Sequence, residues 1–197
     1  MESFLSTIRT YAPFSDEEGE FFYAHFRRVK FKKNTVILEE GKVAHEVFFV
    51  EKGALRQFFF NESGVEKTCN FVFEREFLTD LESFSRQTKA TTNIITLEPA
   101  ECLVTTCKEV VACMKASPAV AAFFNVIVEN VATANIRRIQ SLLSQSPEQQ
   151  FEALLQHQPE ILQRVPQRYI AQYLGIAPES LSRIRRRMLV GAARDTR

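Results

Sequence analysis

The sequence has no CxxC pair, no run of apolar residues approaching the roughly 18 that a membrane span needs, and no basic-then-apolar leader behind Glu2. The first absence removes the usual ligand spacing of a zinc site. The four cysteines, Cys69, Cys102, Cys107 and Cys113, stand singly, so they do not offer the placed thiolates of an iron–sulfur centre and are expected as reduced or buried thiols. The other two absences point to a cytoplasmic protein with no membrane partner. Histidine is scarce as well. His25, His45 and His157 lie far apart, none in a setting that suggests a haem axial ligand, and no nucleophile, base and orienting group recur at a recognisable spacing. Metal chemistry and catalysis are therefore not expected, and the chain reads as a non-enzyme.

What is present is ordinary in amount and uneven in placement. Hydrophobic residues make up 45% of the 197 and charged residues 25%, which excludes disordered and collagen-like classes and allows one core with a small satellite domain. Net charge is +1, yet residues 164 to 197 hold eight arginines against Glu179 and Asp195, a local balance of about +6. The remainder of the chain is correspondingly acidic, and such asymmetry suggests that one end faces a polyanion.

The hydrophobic period changes twice along the chain. Residues 3 to 31 suggest two short helices broken at Pro13, the second opened by Ser15 or Asp16 with an acidic first turn at Glu17, Glu18 and Glu20. From Thr35 to Cys107 the pattern becomes a series of short apolar and β-branched runs, TVILEE, EVFFVEKG, ALRQFFF, EKTCNFVF, TNIITLE and ECLVTTC, with Gly41, Gly53 and Gly64 between them. That spacing predicts an antiparallel barrel or sandwich. After Lys108 the texture is helical. Ser117 to Leu143 carries an apolar stripe at residues 120, 123, 124, 127, 128, 131, 134, 139, 142 and 143, with Pro118 in the first turn. A helix that long needs a partner for its stripe: a second copy of itself is the economical one, its own barrel the alternative. Ser146 and Gln149 then form a capping-box pattern ahead of Phe151, Leu154 and Leu155.

The stretch RYIAQYLGIAPESLSRIRRRM, Arg168 to Met188, fits a helix-turn-helix. Counted from Gln167, the apolar, small and turn positions are filled by Ile170, Ala171, Leu174, Gly175, Ile176, Leu181 and Ile184. Leu181, Ile184 and Met188 share one face of the second helix, which turns Glu179, Ser180, Ser182, Arg183 and Arg186 outward. Arg183 can fork onto guanine and Glu179 can accept from cytosine, while Ser180 and Ser182 suit bases or phosphates. Arg164, Arg168, Arg185 and Arg187 suit phosphates, which fix position without reading sequence. Ala177 precedes Pro178 and offers no side-chain cap, at a cost of about 1 kcal/mol.

Taken in this order, barrel, long helix and helix-turn-helix, nearly the whole chain resembles the cyclic-AMP receptor protein/FNR-type (CRP/FNR) family of dimeric bacterial transcription regulators. EEGKVAHEVFFVEKGALRQFFFNESGVEKT is similar to that family's cyclic-nucleotide-binding barrel, and PQRYIAQYLGIAPESLSRIRRRM resembles its DNA reader. The resemblance implies an α+β fold: a jelly-roll sensor with flanking helices at 1–116, a dimerisation helix at 117–145 and a helix-turn-helix domain at 146–197. It also implies double-stranded DNA, a second copy, a small-molecule effector and RNA polymerase as partners. The DNA-binding set it implies is Arg168, Glu179, Ser180, Ser182, Arg183, Arg186 and Arg187. Pro178 stands where some members place a base-reading arginine, and GAARDTR is too short for the β-hairpin wing that many carry.

The ligand cassette departs from the family pattern. The matching stretch is FLTDLESFSRQTKATT, residues 77 to 92, with ligand-pocket candidates Phe77, Thr79, Asp80, Ser83, Lys89 and Thr91. Thr79 stands for the glycine that lets a phosphate approach, Asp80 for the ribose-binding glutamate, and Lys89 or Ala90 for the phosphate-binding arginine. Lys89 or Arg86 could supply a point charge but not a bidentate fork. Cyclic AMP and cyclic GMP are thereby disfavoured, which leaves another small ligand or a receptor that has lost its own. The alternative to a regulator is a ligand module that acts through protein contacts, with vestigial DNA binding.

Overall fold

The computed structural model describes residues 1–192, with side chains as far as Met188. Two short helices, α1 (Glu2–Ile8) and α2 (Asp16–Ala24), precede strands β1 (Arg27–Phe31), β2 (Val36–Leu38), β3 (Glu46–Lys52), β4 (Leu55–Phe60), β5 (Glu66–Val72) and β6 (Phe77–Leu78). A short helix α3 (Leu81–Arg86) leads to β7 (Asn93–Thr96) and β8 (Ala100–Thr106). The rest is helical: α4 (Cys107–Ala116), α5 (Pro118–Ser144), α6 (Pro147–His157), α7 (Ile161–Arg164), α8 (Gln167–Leu174) and α9 (Pro178–Ala192). The expectation of no β-hairpin wing concerns a segment that runs past residue 192 and lies partly outside the described residues.

Local chemistry places the helix starts. Ser15 caps α2 and Ser146 caps α6 through reciprocal bonds with Glu18 and Gln149, and Thr106 with Glu109 does the same for α4. Two strands escaped the sequence reading. β1 is RRVKF, a charged edge strand whose Arg27 and Arg28 reach across β8 to Glu46 and Glu51 of β3 and whose Lys30 pairs with Glu101 of β8, so its polar face is written by partners far along the chain. β6 is two residues long, too short to show a period.

The strands form two four-stranded antiparallel sheets, β1-β8-β3-β6 and β2-β7-β4-β5, packed face to face. The jelly roll is thus an open sandwich rather than a closed barrel. Leu55, Val72, Phe48, Val50, Cys102 and Val104 point between the sheets and make the central core. The alternate residues are buried too. Phe49 and Leu103 point outward from the first sheet into a layer made by α1, α2, α4 and α5, where Phe4, Phe22 and Phe123 join them. Both faces of β3 are covered, which is why VFFV reads as a continuous apolar run instead of an alternating one. Inside this core burial pushes the Cys102 thiol up to about 12, so it is an inert packing residue.

The second sheet is covered by the C-terminal helices. Phe71 and Phe73 share a core with Phe151, Ile161, Ile170, Leu174, Leu181 and Ile184, and the Phe71 and Tyr173 rings lie 5.5 Å apart. Two arginines fasten this junction. Arg56 is 1% exposed: its Nε donates to Thr68 Oγ1 (2.8 Å) and its Nη2 to Glu66 Oε1 (2.7 Å) and Gln172 Oε1 of α8 (2.8 Å). Its guanidinium also lies against the rings of Phe58 and Tyr169, 4.4 and 3.8 Å from their centres. Loss of water lowers its pKa, and Glu66 opposes that fall. Arg164, assigned to DNA phosphates by the sequence reading, is instead forked onto Glu74 (2.7 and 2.8 Å) and bonded to Glu98 and Glu160. Burial disfavours the Glu74 charge, but Arg164 and the Gly53 amide outweigh it and hold the carboxyl below its usual range. Gly53 itself has φ +101°, and a Cβ there would lie 2.7 Å from the Pro99 carbonyl oxygen.

Helix α5 has two regimes. Val120 and Phe123 are buried against α1, α2 and the first sheet, so its first turns pack on their own domain. Beyond them Val128, Ile136, Ile139, Leu142 and Leu143 are exposed, Leu143 to 84%. The helix is long and apolar enough, by length and a mean hydropathy of 1.4, to cross a membrane. This differs from the expectation, which rested on uninterrupted apolar runs. Asn125, Glu129, Asn130 and Asn135 interrupt this one.

A double-mutant cycle of Arg56→Met with Gln172→Leu, read by urea unfolding, is expected to give a coupling energy above about 1 kcal/mol, because the 2.8 Å charge-assisted bond between the two side chains is lost with either one. A coupling near zero would mean that the junction is held by the phenylalanines alone.

Candidate ligand cavity and helix-pair surface

A cavity of about 640 Å³ lies between the jelly roll and α5. Phe77, Thr79, Asp80 and Thr91 of the expected ligand set line it, together with Gln57 and Asn70 from β4 and β5. Ser83 and Lys89 do not. Ser83 is buried, accepts from the Ala44 amide (2.8 Å) and donates to the Thr88 carbonyl (2.5 Å), so it ties α3 to the loop before β3. Lys89 is exposed and its backbone bridges to Val43.

The cassette is electrostatically closed to an anion. The α3 N-terminus, where a phosphate would sit in a nucleotide site, is capped from inside: Asp80 accepts from Ser83 N (3.1 Å), Thr91 N (3.2 Å) and Thr92 Oγ1 (2.7 Å). One carboxylate therefore occupies the donors that a phosphate would use. Thr79 Oγ1 donates to the Glu46 carbonyl (2.9 Å), and Ala90 is buried in the central core. Arg86 pairs with Glu82 on the surface. Among the described residues no lysine or arginine from the cassette reaches the cavity.

Three features that the sequence reading did not assign to the site are brought to it by the tertiary structure. The α4 residues Val110 and Met114, the α5 residues Phe124, Ile127, Val131 and Arg138, and Tyr173 of α8 all line the cavity. Their apolar spacing was visible, but it could not say which surface they face. Arg138 bonds the Tyr173 carbonyl oxygen and sits 3.9 Å from the centre of that residue's ring, so α5 caps the C-terminus of α8 directly. The cavity thus touches the central sandwich, the long helix and the C-terminal helices together.

The helix pair α8–α9 has the local geometry its spacing demands. Gly175 ends α8 in the left-handed region at φ 70°, and its turn is followed at once by Pro178 and α9. Ala171 is buried at the crossing, and Leu181 and Ile184 face inward. Glu179, Ser182, Arg183, Arg186 and Arg187 are exposed on α9, Ser180 is half-buried, and Arg168 is exposed on α8. Arg183 lies along the helix against Ser180 Oγ (3.1 Å), and Arg187 is held by Glu148 at the start of α6. Ala177 supplies backbone carbonyl acceptors to Ser180 and Leu181 but no side-chain cap.

Residues 28–117 match the family model of the cyclic nucleotide-binding domain. The sequence matches none of the curated proteins. The fold is that of catabolite activator protein from Thermus thermophilus (17% identity, 94% of this chain and 88% of that one, TM-score 0.59). It is shared by the c-di-GMP-responsive global regulator CLP of Xanthomonas campestris (14% identity, 90% and 93%, TM-score 0.69). A CRP/FNR-family protein of Eubacterium rectale aligns at 18% identity over 92% and 88% of the two chains, with a TM-score of 0.70.

Calorimetric titration of cyclic AMP into the full chain is expected to show no saturable heat up to about 1 mM, a limit equivalent to roughly 4 kcal/mol of binding. Micromolar affinity would mean that Asp80 yields its donors to the phosphate.

Proposed function

We propose that this chain, a CRP/FNR-type protein by fold with a cyclic nucleotide-binding domain at residues 28–117, is a homodimeric DNA-binding transcription regulator whose sensor is not built for cyclic AMP. The division is 1–116 for the sensor, 117–145 for dimerisation and 146–197 for DNA binding. The observation that carries the reading is the exposed face of α9, where Arg183, Arg186 and Arg187 stand clear of a core anchored by Leu181 and Ile184. Arg183 and Glu179 are the base-reading candidates, with Ser180 and Ser182 beside them. Arg168, Arg186 and Arg187 serve phosphates, and Arg187 would exchange Glu148 for a phosphate oxygen on binding. Arg164 has no part in DNA contact.

The dimer reading rests on α5. Ala121, Asn125, Val128, Ala132, Asn135, Ile139 and Leu142 follow one another at alternating spacings of four and three, a coiled-coil seam, and from Asn125 onward every one of them is exposed. Leaving Ile139 and Leu142 in water would be costly, and a second α5 covers them. Asn125 and Asn135 within the seam favour a single register at some cost in stability. Val128 and Asn135 also line the cavity, so pairing would close its mouth. Two α9 helices in successive major grooves would then read half-sites about 34 Å apart.

Selection from random duplex DNA with the purified chain is expected to enrich a palindrome, and Arg183→Ala to lose about 1–3 kcal/mol of preference at one symmetric base step. Arg187→Ala should instead weaken all sequences alike and lower the salt slope by about one. If no palindrome is enriched, the ligand-module alternative takes its place. Ile139→Lys is expected to convert a dimer into a monomer by sedimentation, with operator affinity falling at least tenfold.

A further inference from the structure

We infer that the cavity is a site for an elongated apolar carboxylate whose acid group is held by Arg138. The wall it shares with α5 runs from Phe123 to Arg138, a length of about 22 Å at 1.5 Å per residue. Its volume of about 640 Å³ lies within the usual range for small-molecule sites. Most of the surface is hydrocarbon, with Phe77, Phe84, Met114, Phe124 and Val131 prominent, which calls for an apolar body.

The charges decide the rest. Asp80 is the one carboxylate on the described wall, and its oxygens accept from Ser83, Thr91 and Thr92, so that region repels an anion. Arg138 is the one cation on that wall. The other half-buried or buried guanidiniums of the junction, Arg56 and Arg164, each face a carboxylate, whereas Arg138 has only the Tyr173 carbonyl and, at 3.4 Å, Gln150 Oε1 among the described residues. A guanidinium carries five N–H donors in a planar fork, and this one keeps donors free for a bidentate carboxylate. The α3 end, where a nucleotide site would take the cyclic phosphate, is filled by Asp80 and offers no donors to it.

The same contact gives the site its consequence, which rests on the regulator reading. Arg138 caps α8 and stacks on Tyr173, so a carboxylate on Arg138 acts on the helix that positions the turn and α9. Ligand and operator affinities would then change by the same factor, as linkage requires.

The test titrates decanoate, decan-1-ol and cyclic AMP into the full chain by calorimetry, and repeats each with Arg138→Met and Arg138→Lys after melting curves have checked that the variants fold. Decanoate is expected to bind saturably and decan-1-ol at least tenfold more weakly, with no binding of cyclic AMP. Arg138→Met should bring decanoate down to the level of the alcohol while leaving the alcohol unchanged, and Arg138→Lys should fall between. Equal binding of acid and alcohol, no binding of decanoate, or full decanoate affinity in Arg138→Met would each overturn the assignment. Because these measurements need no DNA, failure to select an operator would sink the regulator reading and leave this one standing. A decanoate complex with unaltered operator affinity would refute only the coupling.

Discussion

The two halves of this molecule are fastened by a buried guanidinium. Arg56 leaves the outer face of the second sheet, gives one bond to Glu66 within its own hairpin and another to Gln172 in α8, and is sandwiched between Phe58 and Tyr169. A charge so deep is tolerable only when its donors are matched, and the matching groups come from both sides of the junction. Arg164 repeats the device in the opposite direction, reaching from the C-terminal helices to Glu74 and Glu98 of the sandwich. Docking is therefore specified by direction and distance, while the phenylalanines between the two clamps supply the buried area.

That docking is what gives the cavity its third wall. Tyr173 arrives there because α8 lies on β5, and Arg138 reaches it because α5 passes alongside. The sandwich and the C-terminal helices therefore share side chains in one cavity, with no long relay between them. The inward cap by Asp80 fits the same arrangement: with a carboxylate at the α3 end, the cation on the described wall is Arg138, which is in contact with α8.

Much of this was legible from residue order. The six runs between Thr35 and Cys107 became strands, Ser15 and Ser146 became caps, and Gly175 took the left-handed turn that its place between Leu174 and Ile176 demanded. The inward set on α9 followed from spacing alone. The losses are equally instructive. Arg164 carries the same local signal as the neighbouring surface arginines, and nothing within a few residues of it announces Glu74 or Glu98. Arg56 sits in ALRQFFF as an ordinary polar position of a strand. β1 was hidden because its charges are answered from β3 and β8.

The division has one physical cause. Periodicity, capping and turn conformation are governed by groups within four residues of one another, so six of the strands between Thr35 and Cys107, the long helix and the exposed cationic face of α9 were determined by the sequence by itself. Which surfaces meet depends on pairs such as Arg56 with Gln172 and Arg138 with Tyr173, separated by 116 and 35 residues. Only the tertiary structure decided that one arginine cluster member is a clamp, that the Asp80 carboxylate is tied to Ser83, Thr91 and Thr92 at the α3 end, and that the cavity borders the helix pair.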